Sequence, residues 1–157
     1  MLYFDHSATT PIHPDVQLLI NELNKDIYGN PSSVHAAGRK AKYVIETARK
    51  QIASSINCDP KEIIFTGGGS EANNLVLWNT IYRNRKHVVT SSIEHPAILT
   101  VLKQLESLSI THTIVPVNKY GCVNPEDIDS AIKDDTGLIT IMTVSYTHLT
   151  LPTILLV

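Results

Sequence analysis

The feature that most restricts the fold is an alternation of β-type runs with amphipathic stretches in the second half of the chain. His87–Ser91, Thr111–Val117 and Leu138–Val144 are short and rich in Val, Ile and Thr, as strands are. Between the first two, Ala97 to Leu108 places Ile98, Val101, Leu102 and Leu105 at helical spacing. Between the second and third, the turn Lys119-Tyr120-Gly121 precedes Asn124, a good helix cap. Pro125 follows at the first helical position, with Glu126 and Asp127 in the first turn. Parallel strands need a crossover, usually a helix, and both faces of such a sheet must be covered. The expected class is therefore α/β, with a mostly parallel sheet covered by helices.

The first half reads as helices and loops leading to one strand. Pro14 and Asp15 start a helix carrying Val16, Leu19, Ile20 and Leu23, which ends before the turn-rich Gly29-Asn30-Pro31-Ser32-Ser33. From Ala36 to Ile56 the spacing predicts a helix with Ala41, Val44, Ile45, Ala48 and Ile52 on its buried face. Asn57-Cys58-Asp59-Pro60 breaks it.

Glu62 to Asn74, EIIFTGGGSEANN, follows. Ile63–Phe65 suit a buried strand, Gly67, Gly68 and Gly69 a tight loop, and Ser70 the cap of a helix with Glu71 in its first turn. Such a loop leaves backbone N–H groups and a hydroxyl facing a concavity, which is an anion site, most often for phosphate. A plain strand-to-helix turn has the same residues. No Lys-Ser or Lys-Thr follows, and the glycine spacing is not that of a dinucleotide fingerprint, so the expected ligand is phosphorylated but not a nucleotide.

In open α/β sheets ligands sit at the carboxyl ends of the strands. The chain puts two loops there, Gly67–Ser70 and Ser92–His95. His95 starts a helix, where the dipole favours a neutral imidazole that could stack on a flat ligand or pass a proton. The plainer role is a capping or surface histidine. His6, His13, His35, His87 and His112 show no ligand spacing and read as ordinary.

Composition narrows the classes further. The 157 residues carry a net charge of -2 with scattered basic residues, which points away from nucleic acid and from an anionic membrane surface. The N-terminus lacks the basic start and apolar run of a secretory signal. Cys58 and Cys122 stand alone without metal spacing, and two free thiols fit a reducing cytoplasm.

Four segments together, DHSATTP, GNPSSVHAAGRKA, EIIFTGGGSEANN and SSIEHPAIL, resemble the N-terminal part of cysteine desulfurases, in the class V aminotransferase group of fold type I pyridoxal phosphate enzymes. The resemblance runs from Leu2 to about Val144. It implies a site-lining segment over 1–14 and the N-terminal part of a cofactor-binding large domain over 15–144. It implies that Gly69 and Ser70 bind the phosphate of pyridoxal 5'-phosphate. His95 would stack on the ring and take part in proton transfer, while Thr9, Thr10 and Asn30–Ser33 would lie near the mouth, across a homodimer interface. The implied reaction takes sulfur from L-cysteine, leaving L-alanine and a persulfide, for iron–sulfur cluster assembly or tRNA thiolation through an acceptor or scaffold protein. A selenocysteine lyase or an aminotransferase of the same group is the nearest alternative. A non-catalytic phosphate-binding α/β module is the alternative of another class.

The departures are equally specific. The family's Schiff-base lysine, its aspartate for the pyridine nitrogen and its persulfide cysteine match no residue of this chain, so the chain as it stands is expected to be an inactive fragment. Residues 145–157, YTHLTLPTILLV preceded by Ser145, fall outside the resemblance. They read as translated non-family sequence, or as an apolar tail that docks on a partner.

Overall fold

The computed structural model describes residues 2–6 and 8–143; Met1, Ser7, Val144 and the 145–157 tail lie outside the described residues. The chain divides into two compact units, Met1–Phe65 and Thr66–Val157.

The first unit holds helices α1 (Pro14–Asp26) and α2 (Ala36–Ser55). Pro14 starts α1 as expected, but α1 buries none of its residues, and Val16, Leu18, Leu19 and Ile20 are exposed. In α2 the buried positions are Gly38, Ala41 and Ala53, whereas Ile45 and Ile52, expected inward, are 36% and 41% exposed. The cause is close backbone packing on the small-residue side. A Cβ at Gly38 would lie 2.4 Å from the carbonyl oxygen of Ser33 and 2.6 Å from that of Asn30. The loop before α2 is therefore laid on the helix where there is no side chain to hold it off. The loop also closes on itself, since Asn30 Oδ1 accepts from the N–H of Ser32 at 2.9 Å. Helix α2 ends at Ser55 with Ile56 as its C-cap; Asn57 then takes the left-handed conformation (φ 56°), and the Cys58 N–H reaches back to the Ala53 carbonyl at 3.0 Å.

Ile63–Phe65 is not a strand. A 3-10 turn, Pro60–Glu62, leads into extended backbone at Ile63 (φ -87°, ψ 123°) that pairs with no strand among the described residues. Extended backbone becomes a strand only where a neighbour takes its hydrogen bonds. Here Arg49 supplies a partial substitute, donating to the Ile63 carbonyl and lying 4.9 Å over the Phe65 ring.

The second unit is the parallel sheet. It contains α3 (Gly69–Asn79), β1 (His87–Ser91), α4 (Pro96–Glu106), β2 (Thr111–Val115), α5 (Pro125–Ala131) and β3 (Thr136–Thr140). Strand order is β2-β1-β3, both pairings parallel, with Val88 opposite His112 on one side and Leu138 on the other. β2 is shorter than its β-type run because Val117 leaves the ladder to bridge Val123 in antiparallel fashion, closing the turn at Asn118. Leu77 of α3, Val88 of β1, Ile98, Val101, Leu102 and Leu105 of α4, and Ile110 form one buried cluster. Each fully buried Leu contributes about 1.5–3 kcal/mol, more than a typical cap at about 1 kcal/mol, so this cluster rather than the helix termini holds the unit together.

All five residues of β1 are buried, including His87. Its Nδ1 lies 2.7 Å from Thr136 Oγ1 and its Nε2 2.8 Å from Thr113 Oγ1, so one imidazole is bound to both neighbouring strands. Burial lowers the His87 pKa, with Lys133 adding to the effect and Asp135 opposing it. Both hydroxyls can accept as well as donate, so loss of solvent rather than loss of a bond opposes the charge.

Two outcomes follow from this packing. For a histidine whose folded pKa is depressed, the contribution to stability is complete above the unfolded value of about 6.5. It is lost as pH falls from there toward the folded value, because the unfolded chain takes up a proton that the native one resists. The urea midpoint should fall with acid in that window, and His87→Gln should flatten that part of the profile while lowering the midpoint at neutral pH. Gly38→Ala would stabilise an uncrowded helix interior by about 1 kcal/mol. Here the clash with Ser33 and Asn30 should reverse the sign, with a loss of about 1–3 kcal/mol in the same assay.

Candidate functional site

The glycine loop comes first. Gly68, not Ser70, is the N-cap of α3, and the helix begins at Gly69. Ser70 is in its first turn. The reason is steric freedom: Gly68 takes an extended conformation and needs no side chain, so the helix starts two residues earlier. Among the described residues the N–H groups of Gly69, Ser70 and Glu71 meet no acceptor, as expected for the first turn of a helix. A Cβ at Gly68 or at Gly69 would meet nothing within 4 Å, so the space over this backbone is open. Gly67 differs, because its N–H donates to the Glu71 carboxylate at 2.6 Å. An acid three residues into a helix reaching back to an amide before it resembles the acidic half of a capping box. One amide of the loop is thus already matched to an anion. The amides of Gly69, Ser70 and Glu71, with the Ser70 hydroxyl, are the groups that could hold another.

The second loop leaves the carboxyl end of β1. His95 is the N-cap of α4, and its Nδ1 accepts from the Ala97 N–H at 3.1 Å. The ring is exposed. This is the plainer role weighed above, and it has a chemical consequence. A nitrogen that accepts cannot carry the proton, so the neutral ring has its N–H at Nε2, on the far side from the cap.

The residue before His95 carries no functional pattern in the sequence. Glu94 is buried, 8% exposed, and its Oε1 accepts from the Ser91 hydroxyl at 2.7 Å and from the Met142 N–H at 2.6 Å. The signal was present as an acid three residues beyond a strand-ending serine, but nothing in the sequence said that Met142 would meet it.

Gly69, Ser70 and His95 all belong to the second unit. The helices that carry them, α3 and α4, share the buried cluster over Val88. A cavity of about 210 Å³ lies between them and β3, lined by Asn73, Val76, Leu77, Ile98 and Leu138–Thr140. Thr9, Thr10 and Asn30–Ser33 belong to the first unit. Cys58 and Cys122 are free thiols. The Cys58 pKa is raised by burial and by the carboxylates of Glu62 and Asp59, the opposite of what an activated thiolate needs. No group of three or more potential metal ligands occurs, and no helix is long and apolar enough to cross a membrane, among the described residues.

Comparison with known proteins is consistent across sequence and structure. The chain matches the family Aminotransferase class-V over residues 2–150. It is 41% identical over 148 residues to a NifS/IcsS protein homolog of Lactobacillus delbrueckii subsp. bulgaricus, covering 92% of this chain and 38% of that protein. It is 41% identical over 144 residues to cysteine desulfurase IscS of Methanosarcina thermophila, covering 90% of this chain and 36% of that one. Among solved structures, a NifS-like protein superposes with a TM-score of 0.85 at 31% identity, over 92% of this chain and 40% of the other. SspA in complex with cysteine superposes with a TM-score of 0.83 at 35% identity, over 91% and 42% respectively. The chain thus spans about two-fifths of the length of these relatives. Its α/β fold, a parallel sheet covered by helices, is theirs, and the chain belongs to the class-V aminotransferase family.

Proposed function

We propose that this chain is the N-terminal part of a pyridoxal 5'-phosphate-dependent cysteine desulfurase, and that it is inactive by itself. The observation that carries the reading is the start of α3: three unmatched amides and the Ser70 hydroxyl under open space, in the same unit as an exposed imidazole whose Nδ1 caps α4. Gly69 and Ser70 would hold the phosphate, because backbone N–H groups at a helix N-terminus bind that charge without needing a cation. His95 would lie against the ring, its Nε2–H free to make or move one proton. When bound, the cofactor supplies an electron sink at the substrate carbon, which allows sulfur to leave cysteine for a protein thiol. L-cysteine as the substrate rests on the relatives named cysteine desulfurase and on the solved complex of SspA with cysteine.

The whole enzyme would act in the cytoplasm as a homodimer and pass sulfur to an acceptor or scaffold protein. The lysine that bonds the cofactor and the cysteine that carries the persulfide are not residues of this chain. Burial and the neighbouring Glu62 and Asp59 carboxylates push the Cys58 thiol up, against thiolate formation. Lys86, the residue before β1, donates to the Ile81 carbonyl at the opposite end of β1 from His95.

Titration of the 157-residue chain with pyridoxal 5'-phosphate tests this reading. The expected result is weak, reversible binding that inorganic phosphate competes away, with no stable lysine-linked chromophore. Ser70→Ala should weaken it about fivefold, the effect of one hydrogen bond. A persistent lysine-linked absorbance band, or binding indifferent to phosphate, would refute the proposal.

A further inference from the structure

The β1–α4 loop is tied down by one carboxylate oxygen. Glu94 Oε1 takes the Ser91 hydroxyl from the strand that precedes it and the Met142 N–H from the segment just beyond β3, 48 residues away in sequence. One donor ends β1 and the other lies two residues past β3, the strand beside it, so the acid spans the carboxyl ends of β1 and β3. His95 is the next residue. Its cap bond to Ala97 is exposed, and an exposed cap competes with water and with other ring orientations. It forms only while the His95 backbone keeps its extended conformation, φ -60° and ψ 146°. The peptide joining Glu94 to His95 sits between a buried, doubly bound side chain and the first turn of α4.

We propose that Glu94 is a positioning residue: bound at once to Ser91 and Met142, it fixes the β1–α4 loop so that His95 keeps Nδ1 on the helix start and Nε2–H toward the ligand side. The functional meaning of this rests on the reading of His95 as the residue that lies against the cofactor ring. The restraint itself is a property of the chain without cofactor.

Nitrogen-15 NMR of the imidazoles in the full 157-residue chain reads it directly, with His95→Asn used to assign the signal. Wild type should show the Nε2–H form in excess. Glu94→Ala should lower the ratio of Nε2–H to Nδ1–H forms at His95 about fivefold, as expected for loss of one hydrogen bond's preference. Glu94→Gln, whose amide oxygen can accept from both donors, should restore it. If Glu94→Ala melts earlier but leaves the ratio unchanged, Glu94 is merely structural and the proposal is overturned. Should Glu94→Ala fail to fold, Ser91→Ala removes one donor and should lower the ratio about twofold, a fraction of the same bond's effect; no change overturns the proposal. Phosphate-insensitive binding of pyridoxal 5'-phosphate with an intact tautomer shift would sink the functional reading and leave the restraint standing.

Discussion

The second unit depends on the complete burial of β1. A strand in the middle of a parallel sheet must have both ladders filled and both faces covered; His87–Thr90 pair on both sides, and all of His87–Ser91 is buried. The apolar members do so by packing, Val88 against Leu77 and the inner face of α4. The polar members do so by hydrogen bonds that run sideways. His87 binds threonines of both neighbours, Thr90 donates to the Thr140 carbonyl, and Ser91 donates to Glu94. A buried polar group left unpaired costs about 1–3 kcal/mol, so these bonds are conditions of burial rather than additions to it. They also lead from the middle of the sheet to its carboxyl end, where the candidate site begins.

Much of this could be read from residue order. The boundaries of β1 and the inward face of α4 are those that β-branched content and helical spacing predict. Asn124 caps α5 through its Oδ1, with Pro125 in the first turn, as the capping rules require. Local chemistry decides these features, and local chemistry is visible in a sequence. Ile63–Phe65 shows the limit. Its residues favour a strand, but a strand is a relation between two segments, and among the described residues no second segment pairs with it. Likewise Ile45 and Ile52 carry the hydrophobicity expected of a buried face, while the loop backbone pressed on Gly38 decides which side of α2 is covered.

The site was legible as a set of loops and less so as chemistry. Histidine at a helix start suggests function, yet this chain uses it as a structural device more than once. His13, His35 and His95 cap α1, α2 and α4, three of the five described α-helices, each through Nδ1 accepting a backbone N–H. In two of them the following residue is proline. The capping bond therefore does not single out His95. Its setting does, at the end of a buried strand, next to a buried acid, in the unit that also holds the open glycine loop. Glu71 shows the converse. An acid in a first turn reads as a dipole partner, and in the fold it takes a particular amide, that of Gly67.

The contact of Asn30 and Ser33 with α2 has one more implication. At Gly29 as well, an added methyl would strike the helix backbone, 2.4 Å from the carbonyl carbon of Ala37. Two glycines nine residues apart therefore weld this loop to the first turns of the helix. It is a fixed ledge, not a flap. Whatever small molecule or polypeptide comes to rest on the amide of Asn30 would push against twenty residues of helix at once and would have to conform to the ledge.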